Sequence, residues 1–152
     1  MDAQTYAATI GAAFRRAGLV PDECLSASYD ARSFGNAEVV FRVGCIRLKV
    51  VKDRGEEFLD LAGSSEGDSF HSIDDIGVAL GWLSTEELFS RQTVEPLLRT
   101  LQRVAEHWSE LSAAMAPRRL PGTEAAVRQA MEERARLMRM KLGVGPKETT
   151  EG

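Results

Sequence analysis

The sequence predicts an α+β fold: a four-stranded antiparallel meander packed on one face by an N-terminal helix and a long amphipathic helix, with an additional C-terminal helix. Three observations carry this expectation. Apolar and polar residues alternate through residues 25–61 in short runs divided by turn residues. The segments before and after those runs repeat apolar side chains every three or four positions instead. The connections inside the alternating block are only a few residues long, which permits hairpins and excludes parallel crossovers.

Residues 3–17 form the first predicted helix. Tyr6, Ile10 and Phe14 share one stripe with the small Ala7, Ala13 and Ala17, and Gly18 followed by Pro21 ends it. Leu25, Ala27, Tyr29 and Ala31 then alternate with polar residues as a half-buried strand. Val39, Phe41 and Val43 face one way in a second strand, and Ile46, Leu48 and Val50 do so in a third. Phe58 to Leu61 gives a shorter fourth, entered through a turn in which Gly55 takes positive φ. The polar alternate positions predict that helices cover only one face of this sheet.

Residues 63–69 read as a loop, after which Ser72 with Asp75, and again Ser84 with Glu87, offer capping boxes for two short helices. Gly81 ends the first of them. Thr93 is placed as the cap of one long helix. Its stripe runs through Val94, Leu97, Leu98, Leu101, Val104, Trp108, Leu111 and Met115. Such a stripe serves as a core face, or as a partner groove or homodimer seam. The composition divides the chain into an α+β domain over 1–116, a linker over 117–122, a helix over 123–143 and a disordered tail over 144–152. The last helix carries a thinner, Met-rich stripe of Val127, Met131, Ala135, Met138 and Leu142.

With 43% apolar and 28% charged residues, the composition is that of a globular protein large enough to bury a core. No apolar run approaches the ~20 residues of a membrane span, and the N-terminus shows no secretory signal, so a cytoplasmic protein without a membrane partner is expected. The net charge of −4 is unevenly spread, with 11 basic against 18 acidic residues in 1–117 and 7 against 3 in 118–141. An acidic body argues against nucleic acid as a partner, because phosphate neutralisation supplies most of that affinity.

Chemistry-bearing patterns are absent. There is no glycine-rich phosphate cradle, no HExxH and no GxSxG elbow. Cys24 and Cys45 form neither a CxxC pair nor a zinc set, and the two histidines, His71 and His107, lie far apart. The adjacent pairs Asp74-Asp75, Glu86-Glu87 and Glu56-Glu57 do not face one another on a helix, and the first and second suit helix N-terminal dipoles. No catalytic residue, cofactor or metal site is therefore expected. What remains is an acidic surface of Glu56, Glu57, Asp60, Glu66, Asp68, Asp74 and Asp75, which would suit a basic protein partner. A solvated face accounts for the same charges.

The run from Ile46 to Leu61, followed by Phe70-His71-Ser72-Ile73-Asp74-Asp75-Ile76 and the long amphipathic helix, resembles bacterial immunity-type proteins that guard against polymorphic or contact-dependent toxins. This resemblance covers about residues 3–115. It implies a stoichiometric inhibitor that binds a toxin domain through family-specific surface residues. In outline the chain is also similar to type III secretion chaperones, homodimers that hold an extended segment of a secreted effector. It departs from them after residue 82, where helices stand in place of further strands. An accessory subunit or an enzyme of unfamiliar type is the alternative from another class.

Overall fold

The computed structural model describes residues 1–143; the tail expected over 144–152 lies outside them. The first helix, α1 (Ala3–Arg16), is capped by Asp2, whose carboxylate accepts the Thr5 N–H at 2.8 Å. It closes over Gly18 at φ +93°, as its sequence requires. Tyr6, Ile10 and Phe14 recur every fourth residue and are buried, and Phe14 meets Phe41 of the sheet edge-on at 5.1 Å.

Five strands follow, β1 (Glu23–Asp30), β2 (Asn36–Val43), β3 (Ile46–Asp53), β4 (Glu56–Gly63) and β5 (His71–Ser72), in a sheet ordered β1-β2-β3-β4-β5 with every pair antiparallel. The tight β3–β4 turn places Arg54 and Gly55 at φ +52° and +86°, two successive left-handed residues that match the twist of a hairpin. Val39, Phe41, Val43, Ile46, Leu48, Val50, Leu59 and Leu61 form the sheet's half of the core.

The meander therefore has five strands and not four. His71 and Ser72 pair with Leu61 and Asp60, a strand too short to register as alternation. β4 is also longer than Phe58–Leu61, because pairing with β3 runs from Glu56 to Gly63. β1 buries almost nothing: it sits at the sheet edge, carries a register shift between Cys24 and Ser26, and exposes Leu25 and Ala27. Ala31 belongs to the turn that follows.

Ser72 ends β5 and at the same time caps α2 (Ile73–Leu80), accepting the Asp74 N–H at 3.2 Å. The expected partner in that box, Asp75, instead points into the protein. The box of Ser84 and Glu87 on α3 (Thr85–Ser90) closes in both directions. The expected long helix from Thr93 is two helices, α4 (Leu97–Glu106) and α5 (Trp108–Met115), parted at His107 with φ −104° and ψ +19°. It starts late because Pro96 disfavours helical backbone at Glu95 and occupies the cap position itself. Its inner residues Leu97, Leu101, Val104, Leu111 and Met115 are buried as the spacing requires, while Val94 is exposed.

The final helix, α6 (Leu120–Lys141), starts three residues before Thr123, with Pro121 in its first turn, so only a short turn joins it to α5. It packs along α2 and against α5. The buried stripe is Leu120, Thr123, Val127 and Ala130, and the Thr123 hydroxyl donates to the Ala114 carbonyl at 2.7 Å. The Met-rich stripe departs from expectation: Val127 is 1% exposed but Met131 is 44% exposed, and Met138 and Leu142 also face solvent. Arg134, one turn beyond Ala130, continues the inner face as a charge.

Candidate functional site: a groove on the free edge of β4

The seven acidic residues expected to form one surface separate into three groups. Asp75 turns inward, while Asp60 lies half-buried on the sheet's polar face, cross-strand from Lys49. Asp75 is 4% exposed and is held by Arg134 of α6, Nη1 to Oδ1 at 2.8 Å and Nη2 to Oδ2 at 3.4 Å. Close to it, the His71 ring lies 2.8 Å through Nε2 from Glu124 of α6. Burial pushes the carboxyl of Asp75 above the ordinary aspartate range, against the pull of Arg134. Burial does the same to Asp60, with Lys49 opposing it and Glu38 adding to it. The Arg134–Asp75 and Glu124–His71 pairs join α6 to α2 and to β5.

Glu66 and Asp68 belong to the loop between β4 and β5. Asp68 accepts the Ser65 N–H at 3.1 Å, and Arg47 secures the same loop through the carbonyls of Gly63, Ser65 and Asp68. Phe70 then lies over Arg47 and Lys49, 4.9 Å and 4.3 Å from its ring centre. This loop folds onto the sheet's polar face, over Arg47 and Lys49.

Glu56, Glu57 and Asp74 do come together, on the rim of a groove of about 810 Å³. β4 forms one side of it through Glu56–Leu59, the start of α2 closes one end, and residues 91–95 and α6 form the opposite wall. Its accessible apolar lining is Phe58, Leu88, Phe89, Val94 and Met138, above the buried Leu59 and Ile73, and Phe58 is 43% exposed. Of these five, the sequence offered only Val94, within a stripe read as a core face or a partner groove; Met138, an apolar residue on the exposed side of a helix, is the kind of signal that marks a site.

The groove's own cations are already engaged. Arg91 bridges Asp74 at 3.0 Å and Glu95 at 3.5 Å, Arg103 takes the other Glu95 oxygen at 2.6 Å, and Arg134 is committed to Asp75. No ion pair reaches Glu56 or Glu57 among the described residues; Glu57 accepts only the Tyr6 hydroxyl, at 2.7 Å. The strand side of the groove thus carries two carboxylates outside any ion pair, with Lys52 the cross-strand neighbour of Glu57. Burial and this bond to Glu57 push the Tyr6 hydroxyl far up, fixing it as a donor.

No protein-family description, curated protein or solved structure matches the chain. Among the described residues no set of three or more His, Cys, Asp or Glu side chains is grouped closely enough to hold a metal ion. Nor is any described helix long and apolar enough to cross a membrane.

Proposed function

We propose that this chain is a non-catalytic protein-binding protein of the immunity type, which neutralises a bacterial toxin by direct association. The observation that supports the reading best is the groove beside β4, where apolar side chains lie open beneath a rim with unpaired acidic groups. An apolar centre within a charged rim is how protein interfaces combine affinity with discrimination. Asp75 and Asp60 have a different part, since Asp75 is held by Arg134 of α6 and Asp60 stands opposite Lys49 within the sheet. The binding set is therefore Glu56, Glu57 and Asp74 with the apolar lining, in place of all seven acids.

The type III chaperone reading draws on a separate observation, the open strand edge, which suits an extended effector segment. Co-expression with candidate toxin domains separates the two. Immunity predicts rescued growth and a one-to-one complex by light scattering. A toxin that stays active in the presence of the folded protein overturns the assignment, and a dimer that holds a secreted effector supports the chaperone instead.

A further inference from the structure

The geometry points to one mode of binding: the groove receives an extended, basic segment of a partner protein as a strand added to the edge of β4. This rests on the protein-binding reading above and specifies how the partner engages. β4 is eight residues long, yet β5 covers only Asp60 and Leu61 before the chain leaves the edge at Ile73 to become α2. The backbone of Glu56–Leu59 makes no hydrogen bond other than to β3 among the described residues. Open edges of this kind are ordinarily covered, bulged or interrupted by proline, because they template pairing. Here the edge lies inside a groove, and the accessible strand runs from Glu56 to Phe58, about 10 Å at about 3.3 Å per residue, up to the buried Leu59.

The walls fit alternating side chains. Phe58 and Val94 offer apolar contact within the groove, Leu88 and Met138 extend it, and a strand needs such contacts at every second residue. Charge selects the occupant. Arg91 and Arg134 are spent on Asp74, Glu95 and Asp75, so the free charges along the edge are Glu56 and Glu57, which attract lysine or arginine and repel acids. A second copy pairing through its own β4 would bring another Glu56 and Glu57 into a groove already acidic, and so fits poorly.

The test uses the full-length protein and a fluorescein-labelled heptapeptide of alternating lysine and valine. Two control peptides accompany it: the glutamate–valine counterpart, and the lysine–valine peptide methylated on alternate backbone nitrogens. Anisotropy is expected to show binding of the first peptide, weakened by about tenfold or more in either control. Hydrogen exchange should slow at backbone amides within Glu56–Leu59. Glu56→Lys with Val94→Asp, both at exposed positions, should weaken binding by a similar factor while leaving the circular dichroism unchanged. No binding at about 1 mM peptide, indifference to backbone methylation, or protection elsewhere would each overturn strand addition. Failure here is distinguishable from failure of the assigned role. A toxin neutralised equally well by the double variant refutes the edge as the docking site and leaves protein binding standing. Peptide bound at the edge with the toxin unaffected refutes immunity alone.

Discussion

Replacing Val127 by alanine tests the rotation of α6 about its own axis. The side chain is 1% exposed and belongs to the central core cluster, whereas Met131, four residues on, is 44% exposed. Val127→Ala removes two buried carbons, about 1.6 kcal/mol at roughly 0.8 kcal/mol per group. The space left adds on the order of 1 kcal/mol where the surroundings cannot collapse, so the expected loss is about 1.5–3 kcal/mol. Met131→Ala deletes a larger side chain but one standing in water, and should stay within about 0.5 kcal/mol. Urea titration followed by fluorescence of Trp82 and Trp108, with circular dichroism as a second probe, reads both variants on one scale. For a chain of this size the first substitution lowers Tm by about 3–12 °C and the second by about 2 °C at most. Equal losses at the two sites, or a loss at Met131 with none at Val127, would refute the packing of α6 and with it the groove wall that contains Met138.

Asp60→Asn should raise stability near neutral pH. A carboxyl whose folded pKa is raised holds its proton more tightly in the folded state, so its contribution falls as pH rises from the ordinary aspartate range towards the raised value. Urea midpoints measured from acid to neutral pH should therefore decline less in the variant than in the parent, and a steeper decline would contradict the burial of Asp60. A double-mutant cycle of Asp75→Asn with Arg134→Met should give a coupling of about 1–2 kcal/mol, limited by the access of Arg134 to water, and additivity would deny the ion pair. Ser84→Ala should cost about 1 kcal/mol by loss of the α3 cap, measured by the same titration, and a neutral result would show that α3 needs no cap.

The sequence was most legible where a residue's neighbours in the chain decide its state. Tyr6, Ile10 and Phe14 declare their face by spacing, the hairpins by turn residues and alternation, and Gly18 and Gly81 the ends of their helices. What was lost depended on distant partners. β5 exists because His71 and Ser72 lie beside Leu61 and Asp60, and two residues carry no period. The stripe of α6 was misjudged because methionine counts as apolar in a pattern, although Thr123 and Arg134 hold the inner positions through bonds to Ala114 and Asp75. The acidic surface was found as a list of like charges and resolved only in space. Asp75 is buried against Arg134 and Asp60 stands opposite Lys49, the loop took Glu66 and Asp68, and Glu56, Glu57 and Asp74 remained beside a groove whose apolar lining runs from Phe58 to Met138.

The polar ties between α6 and the sheet edge also order events during synthesis. His71 meets Glu124 and Asp75 meets Arg134 across 53 and 59 residues. The meander closes through short turns and can assemble while the remainder is still being made. Until residue 134 emerges, Asp75 has no arginine across from it, and the cleft that α2 offers to α6 stands open. The nascent chain thus holds an incomplete form in which the β4 edge has lost its outer wall. A fragment ending before Leu120 would keep that edge with its Glu56 and Glu57 but lose the wall that encloses it, which makes the last helix a guard on the edge as much as a part of the core.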